Sequence, residues 1–437
     1  MLSLVEAQEA FPALTDAAVR GKYLTIKLAV AGPGDELYFW WGHIGIVIED
    51  ALSGESRFYD WGVFSFDTEN FYYDFAYGRL FYSCTVSPAN YAIARYIETN
   101  RDLIFFTLDL PPESKTELLH FAENNVLPEN RDYEYHHFRD NCATRVRDII
   151  DRATEGGFKE RFGDAQGRFT LRQHVNRHTW FSPFWGWAFS FLMGQDIDQS
   201  ITVWEEMFLP SEIAQRCMDF SYIDAFGNER ELVSEVEIIN QAKGRPKVAT
   251  VPRRRSQVPA LGLFIALAFS LLRLKAAGML AAISGRKHSV TDSQINEGTA
   301  AFQGNSHILG LGQAGLGLFF GIMGSILFFM SFFTNHDYTF HNINIIFVNP
   351  MLLAAVPLGF LAAFSKNQKK CQNAEFLLTL LWTLVFLGGI VTIIIRFLPG
   401  YYQQNQPVQA LILPFAFVLS FFPNWVNKLF RLFFKFN

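Results

Sequence analysis

The stretch Phe138-Arg139-Asp140-Asn141-Cys142-Ala143-Thr144-Arg145-Val146-Arg147-Asp148-Ile149-Ile150 predicts a loop that runs into the first turns of a helix. Asp140 or Asn141 is a suitable N-cap, and the apolar residues after Thr144 recur at the spacing of one buried helical face. Cys142 therefore lies in the first turn, where unpaired backbone N–H groups and the positive end of the helix dipole favour a thiolate over a thiol. An isolated cysteine is more often a small buried residue than a nucleophile, so the rest of the chain has to decide.

A base and a carboxylate that could serve this thiol occur upstream. Ile44-Gly45-Ile46-Val47-Ile48 predicts a β-strand that starts at His43, and Leu52-Ser53-Gly54-Glu55 supplies a turn before a returning strand. Asp60 then lies almost opposite His43, where a carboxylate can orient an imidazole and stabilise its charged form. A thiol, an imidazole and a carboxylate are together the parts of an activated nucleophile.

Seven motifs carry a resemblance to a known family. They are Gly32-Pro33-Gly34, Trp41-Gly42-His43, Tyr59-Asp60-Trp61-Gly62, Tyr77-Gly78-Arg79-Leu80-Phe81-Tyr82, Tyr135-His136-His137-Phe138, Asp140-Asn141-Cys142-Ala143-Thr144-Arg145-Val146-Arg147-Asp148 and Trp204-Glu205-Glu206-Met207-Phe208-Leu209-Pro210. Together they resemble the DUF4105 family, whose best-understood members are the Lnb-type lipoprotein N-acyltransferases. The order of the histidine and the Asn-Cys pair also looks like the circularly permuted papain-like fold of the NlpC and lecithin:retinol acyltransferase type. The resemblance implies an α+β, permuted papain-like thiol domain followed by an all-α multipass membrane domain of about five helices.

The resemblance further implies a membrane-bound cysteine acyltransferase that acts on bacterial lipoproteins. Cys142 would attack the sn-2 ester of the diacylglyceryl group, with His43 as the base and Asp60 holding the imidazole. The α-amine of the same lipoprotein would then resolve the thioester, which leaves an N-acylated lipoprotein in its lyso form. The acyl donor would be a diacylated lipoprotein or a phospholipid, and the chemistry needs no metal and no nucleotide cofactor.

Two other classes of protein stay open from the residues themselves. A thiol hydrolase that cuts a peptide, a cell-wall amide or a lipid ester would use the same three residues, with water resolving the thioester. A non-catalytic membrane protein would use its soluble domain for binding and would keep Cys142 buried and inert. His136 and His137 are rival bases, which we rank below His43 because a loop histidine so close in sequence must fold back to reach the thiol.

Six residues are candidates for contact with the substrate: Arg79, Tyr82, Asn141, Arg145, His336 and His341. Arg79 suits an anionic head group or an exposed surface. Tyr82 ends an aromatic run that starts at Phe58 and forms either a core or the wall of an acyl-binding pocket. His336 and His341 belong to a loop between two predicted spans, which either touches lipid head groups or is solvated. Residues 87–126 show nothing that carries chemistry.

The 437-residue chain is half hydrophobic, and its apolar residues concentrate towards the C-terminus. Stretches long enough to span a membrane lie at about 258–283, 308–333, 343–364, 375–398 and 408–426. We therefore expect a thiol domain at 20–215, a polar and basic linker at 216–256 and a transmembrane domain at 257–437. The net charge of −5 leaves no large basic field for nucleic acid, and no cysteine cluster suits a metal.

Charges in the loops predict how the spans are oriented. Basic residues precede the second span, join the third to the fourth and end the chain: Arg273, Lys275, Arg286, Lys287, Lys366, Lys369, Lys370, Lys428, Arg431 and Lys435. The positive-inside rule makes these sites cytoplasmic, although the basic linker before the first span argues the other way. The thiol domain is then on the extracytoplasmic side of the bacterial cytoplasmic (inner) membrane, in contact with membrane lipids.

Two further segments bear on membrane attachment. Met1–Arg20 has no charged start followed by an apolar core, so we do not expect a secretory signal there. Trp180–Gly194 is rich in tryptophan and phenylalanine but too short to span a bilayer. It is either a core helix or an interfacial, lipid-facing segment.

Overall fold

The computed structural model describes residues 16–66, 70–225, 227–253, 257–276 and 292–421. Within these ranges the chain forms two compact units. The first unit holds the chain up to His174 and again Ser200–Ala249, and the second holds Val175–Gln199 and the chain from Thr250 onward. The predicted fold class is confirmed, because the first unit is an α+β domain with a seven-stranded sheet and the second is helical.

An antiparallel sheet forms the centre of the first unit. The strands of this unit are β1 (Leu24–Ala31), β2 (His43–Asp50), β3 (Glu55–Val63), β4 (Phe81–Pro88), β5 (Leu103–Leu108), β6 (Asp132–Glu134), β7 (Ser221–Ile223), β8 (Glu229–Glu231) and β9 (Val233–Asn240). Seven of them make the sheet, in the spatial order β6-β4-β3-β2-β1-β5-β9, whereas β7 and β8 pair with each other. β1 therefore lies between β5 on one side and the β2–β3 hairpin on the other.

Helices cover both faces of this sheet. The helices up to residue 218 are α1 (Asp16–Gly21), α2 (Phe71–Tyr77), α3 (Ala89–Glu98), α4 (Pro112–Asn125), α5 (Cys142–Ala153), α6 (Gly157–Phe162), α7 (Leu171–His178), α8 (Pro183–Leu192), α9 (Val203–Glu206) and α10 (Pro210–Met218). Successive side chains of a strand point to opposite faces. Ile44, Ile46 and Ile48 of β2 thus share a core with α4 and α5, whereas Val47 packs with α3.

The helix that begins at Cys142 forms as its sequence predicts. Asn141 has an extended backbone and caps α5. Val146, Ile149 and Ile150 are at most 5% exposed and make the buried face of the helix. This face of α5 packs against β2. Cys142 starts α5 and His43 starts β2, so the two residues lie on neighbouring elements.

The boundary of the first unit differs from the sequence-based expectation. Much of the expected linker at 216–256 is part of the α+β fold, because β9 pairs with β5 and closes one edge of the sheet. The outward side chains of β9 make it look like a polar linker in sequence: an edge strand with Glu235 and Glu237 needs no continuous apolar pattern.

The second unit contains the apolar C-terminal helices. They are α11 (Gln257–Ala276), α12 (Asp292–Phe333), α13 (Ala355–Phe364), α14 (Gln368–Ile395) and α15 (Gln406–Leu419). Three segments are long and apolar enough to cross a membrane: His307–Phe333, Ile343–Phe364 and Gln368–Ile395. The other two predicted spans correspond to shorter apolar helices, at Gln257–Arg273 and Gln406–Leu419.

Small residues bring these helices close together. A Cβ on Gly317 would lie 2.4 Å from the Cβ of Ala355, and one on Gly321 would lie 2.7 Å from the backbone nitrogen of Leu353. The two glycines therefore let α12 pack closely against the start of α13 and the turn before it. At the other end of the unit, Arg273 donates to the carbonyl of Leu419 at 3.0 Å, at the end of α15.

The third span is not a continuous helix. Its first half consists of two 3-10 turns, Ile343–Ile346 and Pro350–Ala354, before α13 begins. The Oδ1 atoms of Asn342 and Asn349 accept backbone N–H groups at 3.0 Å and so cap the two turns. Irregular backbone at membrane depth requires such partners, because lipid offers none.

The tryptophan-rich segment forms α8 and belongs to the second unit. Trp187 and Phe191 are buried in its core, whereas Phe184 and Trp185 are exposed. The side-chain amides of Asn342 and Gln403 donate to carbonyls at the end of α8, at 2.8 and 3.1 Å. The segment is thus a packed helix with one exposed aromatic side.

Some predictions concern residues outside the described ranges. They are the absence of a secretory signal, which falls largely on residues 1–15, and the cytoplasmic placement of Arg286, Lys287, Lys428, Arg431 and Lys435. These stay predictions.

Candidate active site

His43 and Asp60 form a close pair on neighbouring strands. In the β2–β3 hairpin Ile46 pairs with Tyr59, so continuing the register sets Gly62 opposite His43 and puts Asp60 on the same face of the sheet. The Nε2 atom of His43 lies 2.7 Å from Oδ1 of Asp60. The backbone N–H of Gly62 donates to the same oxygen at 2.8 Å. The carboxylate therefore fixes the ring, and it leaves Nδ1 as the nitrogen that can exchange a proton.

The pair favours an imidazolium and a carboxylate. Burial by itself lowers the pKa of His43, but the attraction of Asp60, with smaller contributions from Tyr96 and Cys142, raises that pKa well above its usual value. Burial raises the pKa of Asp60, yet the charge of His43 and the bonds from His43 and Gly62 lower it below the ordinary range. The two side chains are only 13% and 19% exposed, so solvent screens their attraction weakly.

Gly62 leaves the space in which the His43 ring lies. A Cβ on this glycine would be 2.4 Å from Cε1 and 3.1 Å from Nδ1 of His43. Any larger residue at 62 must displace the imidazole or the strand. The hairpin therefore needs a glycine here for a packing reason, since Gly62 is not among the glycines with a positive φ.

Asn141 builds the helix start that carries Cys142. Its Oδ1 accepts the backbone N–H groups of Ala143 and Thr144 at 2.8 and 2.9 Å, and Oγ1 of Thr144 accepts the backbone N–H of Asn141 at 2.8 Å. The side-chain nitrogen Nδ2 of Asn141 donates to the backbone carbonyls of His137 and Phe208. This capping box leaves the backbone N–H of Cys142 at the positive end of the helix dipole.

Cys142 differs from two other cysteines in its surroundings. It is partly exposed and interacts electrostatically with His43, Tyr82 and Tyr133. Burial raises the pKa of Cys84 to about 12 and also raises the pKa of Cys217, so both are inert thiols at neutral pH. Both are free, and no disulfide joins them.

Comparison with protein-family models gives two matches. Residues 10–177 match the Lnb N-terminal periplasmic domain. Residues 307–423 match the Lnb transmembrane domain.

This chain belongs to the Lnb family.

The first match contains Cys142, His43 and Asp60, and the second contains the three longest apolar segments. The Lnb-family protein is therefore a membrane-associated, lipoprotein-related protein with an extracytoplasmic N-terminal domain. No curated protein and no solved structure gives a match.

Arg145 and Tyr82, two of the candidates for substrate contact, line the neighbourhood of Cys142 in this Lnb-family protein. Arg145 makes a bidentate pair with Asp140, at 2.7 and 2.9 Å, and its guanidinium lies 3.7 Å from the ring centroid of Tyr133. Tyr82 is partly buried and stacks on Tyr135 with ring centroids 4.0 Å apart. Both side chains thus have structural partners beside any contact with a substrate.

The other candidates have different surroundings. Arg79 follows α2 and is exposed. His336 and His341 lie in the second unit: His336 is buried with Nδ1 2.9 Å from the hydroxyl of Tyr338, and His341 is exposed with Nδ1 3.0 Å from Asp196. A role of these three residues in substrate binding stays a prediction.

His136, a rival base, has a clear local role. Its Nδ1 accepts the backbone N–H groups of Phe138 and Arg139 at 3.1 Å, and its backbone bridges to Asp140. Nδ1 of His136 is therefore occupied by two hydrogen bonds, which shape the loop before Cys142. The geometry favours His43 as the base.

Sequence reasoning found no chemistry in residues 87–126, but two residues there adjoin the site. Tyr96 of α3 interacts with His43, and Arg101 stacks on Tyr96 with the guanidinium carbon 5.1 Å from the ring centroid. Neither residue belongs to a motif, and their approach depends on the order of strands in the sheet. The local signal was an arginine two residues before an apolar strand.

Proposed function

We propose that this Lnb-family protein is a membrane-bound cysteine acyltransferase that moves the sn-2 acyl chain of a lipoprotein diacylglyceryl-cysteine to the α-amino group of that cysteine. One observation carries the proposal: a partly exposed thiol at a capped helix start interacts electrostatically with an imidazole that a carboxylate holds at 2.7 Å. That arrangement is the one an acyl-transferring thiol requires.

In the first half of the reaction, Cys142 takes the acyl chain. Nδ1 of His43 accepts the thiol proton, because Nε2 is bonded to Asp60. The thiolate attacks the ester carbonyl, the ester C–O bond breaks, and His43 returns the proton to the glyceryl oxygen that leaves. Asp60 stabilises the imidazolium that exists between these two proton transfers.

In the second half, the α-amine attacks the thioester. His43 removes a proton from the amine, the C–S bond breaks, and the thiolate of Cys142 leaves as the amide forms. The product is an N-acylated lipoprotein that carries one remaining O-linked chain. No oxidant, metal or nucleotide enters this balance.

The helix start supplies a donor for the oxyanion of both tetrahedral intermediates. The backbone N–H of Cys142 belongs to the first residue of α5, and the Asn141 side chain accepts from Ala143 and Thr144 instead. Negative charge that develops on the carbonyl oxygen next to Sγ is therefore close to this N–H and to the helix dipole.

The second unit supports a multipass arrangement with the thiol domain on the extracytoplasmic side. The chain enters α8 from the first unit and returns to it, and within the second unit α8 contacts the loops that hold Asn342 and Gln403. Those loops lie at one end of the spans, whereas Lys366 before α14 and Lys369 and Lys370 in its first turn lie at the other end. The positive-inside rule makes the lysine end cytoplasmic, in the bacterial inner membrane.

Mass spectrometry of lipoprotein N-terminal peptides tests the proposal. Cells that carry the intact protein should contain N-acyl, mono-O-acyl termini, and these should be lost with Cys142→Ser and with His43→Ala. Cys217→Ser is the matched control, because this buried thiol has a raised pKa and takes no part in the chemistry.

Unchanged termini in cells with folded Cys142→Ser protein would refute the transferase. Release of free fatty acid or of a cut peptide by the purified protein, without transfer to an amine, would instead identify a thiol hydrolase. A Cys142 that does not react with a mild alkylating reagent would favour a non-catalytic binding protein.

A further inference from the structure

A series of aromatic rings in contact runs along one side of the first unit. Phe64 follows the end of β3, and its ring centroid lies 5.0 Å from that of Phe66 and 6.2 Å from that of Phe71. Phe71 stacks on Phe75, one helical turn further along α2, at 6.0 Å. Phe64 also lies 5.0 Å from Tyr82 of β4. With the ring on which Tyr82 stacks, the series forms what we call the aromatic path: Phe75, Phe71, Phe66, Phe64, Tyr82 and Tyr135.

The outer end of the path is exposed to solvent. Phe66 and Phe75 are 50% and 52% exposed. Five of the seven residues of α2 are aromatic, yet none of the seven is buried. This part of the aromatic run is therefore no core of the fold. Exposed apolar surface of this kind marks a place where an apolar ligand or partner binds.

At its inner end the path approaches the helix start that carries Cys142. The rings of Tyr135 and His137 meet edge-on, with their centroids 5.4 Å apart. The backbone carbonyl of His137 accepts a hydrogen bond from Nδ2 of Asn141 at 2.8 Å, and Cys142 is the next residue in the chain. The last ring of the path is thus joined through one residue to the cap of α5.

The path also passes the imidazole of the candidate active site. Phe64 comes two residues after Gly62, and a Cβ on Gly62 would lie 2.4 Å from Cε1 of His43. Tyr82 lies on β4, the strand next to β3 in the sheet. Rings from β3, β4 and the loop before α5 therefore connect the exposed helix α2 with the surroundings of both the imidazole and the thiol.

The chemistry of the path selects its ligand. Its six side chains carry no charge, and their only polar atoms are the hydroxyls of Tyr82 and Tyr135. Hydrocarbon fits such a surface, whereas a peptide backbone or a sugar would give up hydrogen bonds to water there without replacing them. A protein partner would use the exposed end alone. Rings that continue inward towards Cys142 instead suit a long apolar chain whose reacting group lies at one end.

We propose that the aromatic path binds the acyl chain of the lipid substrate, with the ester carbonyl next to Cys142 and the methyl end of the chain at α2. The inference rests on the proposed function, because it takes an acyl ester as the group that is brought to Cys142. Burial of successive CH₂ groups against the rings supplies binding energy far from the reacting bond, and this energy holds the ester in place for attack.

Photo-cross-linking tests where the chain lies. The probe is a synthetic diacylated lipopeptide with a diazirine near the methyl end of its sn-2 chain, added to full-length Cys142→Ser protein in lipid nanodiscs. This variant cannot form the thioester, so the chain stays on the probe. After irradiation, peptide mass spectrometry should find the label on Phe71 and Phe75. Phe66→Ala should lower this label about tenfold, because burying a phenylalanine side chain contributes about one power of ten in affinity.

Turnover by the protein with its intact thiol separates chain binding from a structural role. Phe66→Ala should raise KM for a long-chain lipopeptide about tenfold. It should leave KM unchanged for a lipopeptide with an acetyl group at sn-2, which is too short to reach Phe66, whereas a structural defect would change both. Tyr91→Ala is the matched control, since Tyr91 is a 67% exposed ring of α3 outside the path and its loss should change neither labelling nor KM.

Three results would overturn the proposal. They are label confined to the second unit, unchanged labelling in folded Phe66→Ala protein, and label only on Tyr72 and Tyr73, which would make α2 a contact with the bilayer surface. The cross-link needs no turnover. A labelled path in a protein that leaves lipoprotein termini unchanged would therefore refute the acyltransferase alone, whereas N-acylation with the label elsewhere would refute the path alone.

Discussion

Gly62→Ala should disable the site by moving one ring. The new Cβ would lie 2.4 Å from Cε1 of His43, and ordinary contact begins at 3.4 Å, so the imidazole has to retreat by about 1 Å. The 2.7 Å contact between Nε2 and Asp60 then exceeds hydrogen-bond distance. A displacement of this size in a catalytic group typically lowers the rate about 100-fold. We therefore expect the rate of lipoprotein N-acylation to fall about 100-fold in Gly62→Ala.

The same substitution should also destabilise the first unit. Loss of the charge-assisted bond between His43 and Asp60 costs about 1.5–3 kcal/mol. Alanine returns about 0.4–1 kcal/mol by restricting the unfolded chain, which leaves a net loss of about 0.5–2.6 kcal/mol. Thermal unfolding of the full-length protein in detergent should show a melting temperature lower by roughly 1–10 °C.

A double-mutant cycle separates the clash from a general effect on the strand. In the background of His43→Ala no imidazole opposes the new methyl group, so Gly62→Ala should then cost almost no stability. Equal losses in the two backgrounds would refute the reasoning, as would a folded Gly62→Ala protein with normal N-acylation. Gly315→Ala, at a glycine with open space around its Cβ position, controls for the substitution itself.

Three further outcomes are expected. Asn141→Ala should lower the free energy of unfolding by about 2 kcal/mol through loss of the cap, and Asn141→Asp by less because it keeps the acceptor; equal losses in chemical denaturation would contradict the capping role. The His43–Asp60 pair should stabilise the protein fully between about pH 4 and 6.5. The stabilisation is lost as the pH rises through the raised pKa of His43, and it is lost as the pH falls through the lowered pKa of Asp60. Asp60→Asn should abolish this pH dependence of the melting temperature, and an unchanged pH profile in that variant would show that the pair does not cause it. Asn342→Ala should lower the melting temperature of the second unit, because its amide satisfies two buried carbonyls, whereas His341→Ala should not, because its ion pair is exposed; the reverse order would contradict the assigned contacts.

The helix start and the hairpin were predictable because their determinants are local. A cap residue, a periodic apolar face and a turn each act over a few residues, so Asn141, Cys142 and the approach of Asp60 to His43 follow from neighbouring sequence. The family resemblance was confirmed by the two family-model matches. What the three residues do stays a proposal.

Features that depend on which elements become neighbours could not be predicted. β9 looked like part of a polar linker because an edge strand carries no continuous apolar pattern, and only its pairing with β5 makes it part of the sheet. Similarly, α8 looked equally suited to a core or to a membrane surface, and amides from Asn342 and Gln403 join it to the second unit.

The sequence by itself thus determined where a cysteine begins a helix, which histidine and aspartate share a hairpin, and that apolar segments follow. Only the tertiary structure decided what surrounds them. Tyr96 and Arg101 reach the site because β5 lies beside β1, and Gly62 matters because the imidazole fills the space above it. Backbone propensity and periodicity act along the chain, whereas strand order, close packing and buried charge arise from contacts between segments far apart in sequence.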